Sequence, residues 1–370
     1  MKFQRYGAVA GVAVAAALAL SACGSDNNSS SSSTTSAAAS GSAASSCPSG
    51  TLNSAGSTAQ ANAISQFIKD YQTKCSGTTV NYNANGSGAG FTSFVQKQSD
   101  FAGSDYAMST TQAAQVKSSG RCGSGEAIDI PAVGGAIAVI YNIPGVTASI
   151  NLDAKTLAGI FDGTITNWNN AAIAKDNPGV TFPSLAIQPF FRSDASGTSY
   201  NFSNYLNHLG GFAAANKQWP GKAGQGAKGS AGVAAKVKST SGGIAYDEYS
   251  YASQNNLTYA KVSNAAGDYV QLSSANAAQF IAQAQVEQTG ADTHVVFNYN
   301  YSNADAYPAV LVTYEIVCGT GNDSSKLPLI KGFLGYALSS TAQSELTNLG
   351  YIPLPSNVAS ADVKAVDSLS

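Results

Sequence analysis

Arginine is nearly missing from this 370-residue chain, occurring only at Arg5, Arg121 and Arg192, and charged residues of all kinds make up 11%. With 19 basic against 21 acidic residues there is no basic stripe, which argues against nucleic acid and anionic lipid headgroups as partners. Histidine occurs twice, at His208 and His294, and neither lies in a catalytic motif. A structural or surface role is therefore the reading for both. No Gly-x-Ser-x-Gly elbow and no dense Asp/His group is present. That removes the usual patterns of a secreted esterase and of a two-metal phosphatase. The five cysteines are widely and irregularly spaced, unlike a zinc site. The expectation is a binding protein without enzymatic activity, cofactor or metal. No internal repeat of fixed period is visible.

The N-terminus carries Lys2 and Arg5, then 13 small and apolar residues from Ala8 to Leu20, then Ser21-Ala22-Cys23. A basic patch, a short apolar core and small residues before a cut site describe a secretory signal peptide over residues 1–22. The run is shorter than the roughly 20 apolar residues of a membrane-spanning helix. Leu20-Ser21-Ala22-Cys23 resembles the bacterial lipobox, in which the cysteine is acylated, with palmitate among the acyl groups, and becomes the mature N-terminus. Two or more acyl chains suffice for stable anchoring. Residues 24–46 are almost entirely Ser, Ala, Thr, Gly and Asn. They cannot bury enough apolar surface to fold and read as a tether, residues 23–46 in all. Cleavage would remove Lys2 and Arg5, leaving 17 basic and 21 acidic residues and a net charge of −4.

The folded part starts near Cys47 and is long enough for two lobes. Cys47, Cys75, Cys122 and Cys318 are an even set in an exported chain, which suggests two disulfides. Three pairings are possible. A strand at Thr51–Ser54 followed by a helix ending at Cys75 puts Cys47 and Cys75 at one pole, favouring Cys47–Cys75 and, by elimination, Cys122–Cys318.

Ile64, Phe67, Ile68 and Tyr71 recur at helical spacing. Thr79–Asn83 reads as a strand, the residues from Phe91 as a helix, and Phe101–Asp105 as a short strand. This is the rhythm of a parallel α/β sheet. Ile128–Gly135 breaks it and is taken as a crossing between lobes. A second α/β set follows, with a helix around Leu157–Phe161, a strand at Ala186–Phe191, a helix after Ser199, a glycine-rich loop at Gly221–Gly232 and a strand at Gly243–Tyr246. Ala309–Val317 reads as the return to the first lobe, and the helix holding Phe333, Leu334, Tyr336 and Ala337 as the last.

Gly56-Ser57-Thr58, Gly86-Ser87-Gly88 and Ser196-Gly197-Thr198 each follow a predicted strand and open a predicted helix. Free N–H groups and the helix dipole favour an anion there, and ligands of open α/β sheets bind beyond the strand ends. Singly, each cluster is an ordinary helix cap. Arg192 stands just before the third cluster as a two-pronged oxyanion donor, with Asp194 placed to hold it. Asp105, if ionised, only accepts hydrogen bonds, so an anion beside it must bring a proton. Phosphate does so, with a second pKa of about 6–7 by analogy with its monoesters. Sulfate does not.

Asp100–Asp105, Asn85–Gly90, Arg192–Ser199 and Gly242–Tyr246 together resemble the phosphate-binding subunit of the high-affinity phosphate ABC importer, the PstS family. Leu157–Phe161, Gly163, Ile165, Trp168 and Ile173–Gly179 extend the likeness, which runs from about Thr51 to Leu354. The Arg-x-Asp-x-Ser-Gly-Thr element is its most specific part. The resemblance implies a two-lobed α/β fold of the periplasmic-binding-protein type II kind, each lobe a mostly parallel sheet flanked by helices. With the crossings above, residues 47–133 and 305–370 form lobe I and 134–304 lobe II. It implies phosphate capture between the lobes, with Thr58 and Ala59 donating from the backbone, the Thr58 hydroxyl helping, and Ser87 donating from its hydroxyl. Asp105 would accept the phosphate proton, Arg192 would clamp two oxygens while held by Asp194, and Ser196, Gly197 and Thr198 would donate from backbone and side chain. Ala59 stands where the family often has phenylalanine, so the apolar wall there is expected to be looser. The implied partners are the permease and ATPase subunits of the importer. The implied location is the outer face of the cell membrane, where the protein is lipid-anchored through Cys23 and monomeric.

Overall fold

The computed structural model describes residues 47–146 and 148–370. The expected signal peptide at 1–22, the expected acylation site Cys23 and the expected tether to residue 46 lie outside the described residues. Among the described residues no helix is long and apolar enough to cross a membrane.

Strand β1 (Gly50–Gly56) pairs in parallel with β2 (Thr78–Ala84) on one side and β3 (Phe101–Ser104) on the other. Helix α1 (Ala61–Lys74) joins β1 to β2, and its buried face, Ala63, Ile64, Phe67 and Tyr71, keeps the spacing of three and four residues that an amphipathic helix needs. Helix α2 (Ser87–Val95) joins β2 to β3. It starts at Ser87, earlier than the first apolar residues, Phe91 and Phe94, announce. Its N-cap is Gly86, at φ 103°, a conformation that glycine adopts without strain.

The centre of the sheet is β4 (Ala127–Asn142), 16 residues of which all but the two ends are buried. Covered on both faces, it reads as a continuous apolar run. Its first half pairs antiparallel with the return strand Val310–Cys318, and its second half, antiparallel again, with Gly243–Glu248. Gly243–Glu248 then pairs in parallel with Gln188–Arg192, and that strand in parallel with Gln225–Ala227. All of these belong to one nine-stranded sheet, parallel towards both ends and antiparallel at its middle.

Two local expectations, a loop at Gly221–Gly232 and a last helix at Phe333–Ala337, are corrected, while Ile128–Gly135, read as a crossing between lobes, is a continuous part of β4 although it contains Pro131. Thr313 faces Val133 and Tyr314 faces Pro131, so Ala132 is an extra residue and the proline sits beside a bulge, where a missing N–H is tolerated. The glycine-rich stretch Gly221–Gly232 contains the strand Gln225–Ala227 and the start of the helix Gly229–Ser239. The helix Leu327–Ala337 is followed by two more, Ser340–Glu345 and Ser356–Ser368.

The disulfides are Cys47–Cys75 and Cys122–Cys318, the favoured pairing, with Cα atoms 5.2 and 5.4 Å apart. The second joins residues 196 apart in sequence, and both of its cysteines are buried. Replacing Cys122 and Cys318 together by alanine is expected to cost about 2–5 kcal/mol, because the unfolded chain regains the freedom of a very long loop. Urea unfolding of the two proteins checks this, and an unchanged midpoint would contradict it.

Candidate functional site

The end of β1, the start of α2, the end of β3 and the helix Gly197–Gly210 meet at Asp105, which is 2% exposed. Four hydroxyls donate to its carboxylate. Ser57 Oγ and Thr313 Oγ1, the latter at 3.2 Å, reach Oδ1, and Ser87 Oγ and Thr198 Oγ1, both at 3.4 Å, reach Oδ2. Gly197 N donates to Ser87 Oγ at 3.2 Å, tying the two helix starts together. The approach is so close that a Cβ on Gly197 would lie 2.4 Å from the Asp105 Cβ, so only glycine fits. Burial raises the Asp105 pKa, and the bonds from Ser57, Thr313 and Thr198 together with the Arg192 charge oppose the rise.

Arg192, equally buried, closes a fork on Asp194, with Nε donating to Oδ1 at 2.9 Å and Nη2 to Oδ2. Gly229 N also donates to Asp194, at 3.0 Å. Burial works against the Asp194 charge, but the guanidinium outweighs it and holds the carboxyl below its usual range. The remaining arm of Arg192, Nη1, lies 3.4 Å from Ser230 Oγ, which in turn is 3.0 Å from Thr58 Oγ1.

The turn Ser57-Thr58-Ala59 is pinned from behind. The hydroxyl of Tyr82 donates to Ser57 O at 2.8 Å, that of Tyr251 to Thr58 O at 2.9 Å and that of Tyr351 to Ala59 O at 2.6 Å. Among the described residues no acceptor receives the N–H groups of Thr58 and Ala59. Fixed carbonyls and free N–H groups on successive residues form an anion-binding concavity.

Thr58, Ala59, Ser87, Asp105, Arg192, Asp194, Gly197 and Thr198 are thus brought into one buried region. Ser196 is used differently. Its N–H donates to Lys217 O at 2.9 Å, and its Oγ caps the helix by accepting from Ser199 N at 3.3 Å. Sequence reasoning missed Ser230, although strand, Gly229-Ser230 and helix repeat the pattern of the other three clusters. It also missed Thr313, one β-branched residue in a run of them, and Asp247, which follows the quoted Gly243–Tyr246. A cavity of about 630 Å³ borders Asp105, with Tyr106, Tyr200, Asn201, Lys217 and Tyr314 in its wall.

Asp247 is fully buried beside Arg192 and has one oxygen without a partner. Burial pushes its pKa up to about 8, against the pull of the Arg192 charge and of Ser230. Glu315, near Gln60, is likewise pushed by burial to about 8. An aspartate titrates near 3.9 when unfolded, so between about pH 4 and pH 8 the folded chain holds protons that the unfolded chain has released. Stability should therefore fall as pH rises through that window. Asp247→Asn should flatten the slope by about one proton per molecule. Thermal melting from pH 5 to pH 8 measures both, and a flat wild-type profile would rule the assignment out.

The family model for a PBP superfamily domain matches residues 41–341. The chain is 42% identical over 379 residues to the phosphate-binding protein PstS 3 of Mycobacterium tuberculosis, covering 100% of both chains. Among solved structures, it is similar to a high affinity periplasmic phosphate-binding protein bound with phosphate, with a TM-score of 0.69, 21% identity and coverage of 84% of this chain and 92% of the other. It is also similar to a putative phosphate ABC transporter substrate-binding protein of Clostridium perfringens with bound phosphate, with a TM-score of 0.60, 18% identity and coverage of 83% and 100%. These structural likenesses establish the two-lobed periplasmic-binding-protein fold.

Proposed function

Because the chain belongs to the PstS family of phosphate-binding proteins, we propose that it captures inorganic phosphate outside the cell and delivers it to a phosphate ABC importer. It acts by binding, with phosphate as ligand and no cofactor. Thr58 and Ala59 donate to the anion from their N–H groups, and Ser57, Ser87, Thr198 and Thr313 from hydroxyls that can rotate from Asp105 to the ligand. Arg192 offers Nη1 while Asp194 keeps the guanidinium in plane. Gly197 contributes its N–H, and Ser196 supports the site as the cap of its helix. Asp105 accepts the proton that phosphate carries. Residues 47–133 and 305–370 form one lobe and 134–304 the other, and they close over the anion. Cys23, once acylated, holds the protein on the outer face of the membrane, where as a monomer it meets the permease and ATPase subunits.

The observation that carries this reading is the carboxylate of Asp105 inside a ring of donors. A fully ionised anion offers that carboxylate no hydrogen and sets two negative oxygens against each other, at a cost of a few kcal/mol for a buried charged group. Calorimetric titration of the mature chain should give one-to-one phosphate binding and sulfate binding at least about a hundredfold weaker. Equal binding of the two anions, or none, would overturn the proposal.

A further inference from the structure

At the far wall of the cavity that borders Asp105, which His294 also lines, strand β4 brings Asp129 against an antiparallel hairpin, Gln285–Thr289 with Asp292–Val296. Asp292 and His294, two apart on a strand, project from one face of it. One ligand atom from each of Asp129, Asp292 and His294 lies within 4.8 Å of the other two. We propose that these three side chains bind a divalent transition-metal ion of the zinc class. Sequence reading expects no metal, because it looks for cysteine and histidine spacings, whereas here one ligand stands 163 residues before the next.

The distances suit coordination as well as an ion pair. His294 Nε2 is 3.2 Å from Asp129 Oδ2 and 3.2 Å from Asp292 Oδ2. One N–H can aim at only one of them, and charge-assisted N–H···O bonds run to about 2.7–2.9 Å. A tetrahedral ion with bonds of about 2.0 Å spaces its ligand atoms roughly 3.3 Å apart, which both distances match. Imidazole with carboxylates is a ligand set that suits zinc.

A second observation concerns Asp129 alone. Its side chain is 0% exposed, yet Oδ1 has no hydrogen-bond partner among the described residues. A buried carboxylate left half unsatisfied is costly unless a cation compensates it. The surrounding bonds are those that orient metal ligands, since Met108 N donates to Asp129 Oδ2 at 2.8 Å and Asp129 N to Asp292 Oδ1 at 2.7 Å. Over the trio lies a recess of about 260 Å³ walled also by Lys117 and Glu126, with space for water as a fourth ligand. The ion would clip the hairpin to the central strand.

The test uses mature protein stripped with a chelator, titrated with zinc by calorimetry and with cobalt(II) by visible absorption. One zinc per chain and the intense bands of tetrahedral cobalt are expected. His294→Gln and Asp292→Asn should each weaken zinc binding by at least about a hundredfold, beyond the effect of losing an outer-sphere partner, and abolish those bands. Both residues are about a third exposed, which protects the fold where a change at Asp129 would not. Melting curves of the variants verify that they are folded, and phosphate binding should be unchanged. Absence of one-to-one zinc binding at micromolar concentration, a weak octahedral cobalt spectrum, or wild-type titration by both variants would overturn the proposal and leave an ion pair only.

Discussion

Arg192→Ala is expected to weaken phosphate binding by more than about tenfold, in line with about 2–5 kcal/mol for one partner of a buried charged contact. The effect has two parts. The ligand loses the guanidinium donor, and Asp194 is left as a largely buried acid without its counter-charge. The second part also destabilises the apo protein. Adding Asp194→Asn to Arg192→Ala separates them, since stability should recover while phosphate affinity stays low. Full recovery of affinity in the double variant would mean that Arg192 acts only on the fold.

Asp105→Asn is expected to lower the preference for phosphate over sulfate by about tenfold or more, because an amide can donate where the carboxylate only accepts. The change is nearly isosteric: one pair of hydroxyls, Ser57 with Thr313 or Ser87 with Thr198, keeps an oxygen to meet, and the other pair turns to accept from the amide. Competition titration reads the ratio directly. Arsenate, which also carries a proton, serves as the positive control. A preference that survives in the variant would assign the discrimination elsewhere.

Much of this site is legible before any coordinates, and the reason is local geometry. The clusters at Gly56, Gly86 and Ser196 announce themselves because strand, tight turn and helix start are short-range events. Arg192 and Asp194 sit two residues apart, so their pairing is visible in the sequence. Thr313 is not, because it stands 208 residues from Asp105 and reaches it only through the pairing of the return strand with β3 and β4. Ser230 was hidden by glycine content, since a Gly-rich stretch reads as a loop even where it holds a strand and a helix start. Asp247, Glu248 and Glu315 are harder still. Acids are usually at the surface, and nothing in their neighbours says that all three are almost wholly enclosed. The cluster at Asp129 escaped for the same reason as Thr313, since it forms only when the hairpin lies against the central strand.

Cys47 is bonded to Cys75, which caps the C-terminal end of α1, immediately before the chain enters β1. A mechanical pull arriving at Cys47 from the N-terminal side therefore passes through a covalent link into the end of a packed helix. Without that link the same tug would load the first rungs of β1, between Gly50 and Thr78, and could peel the strand from its neighbour one rung at a time. The staple thus isolates the turn at Ser57–Ala59, at the far end of that strand, from any strain arriving along the chain before Cys47.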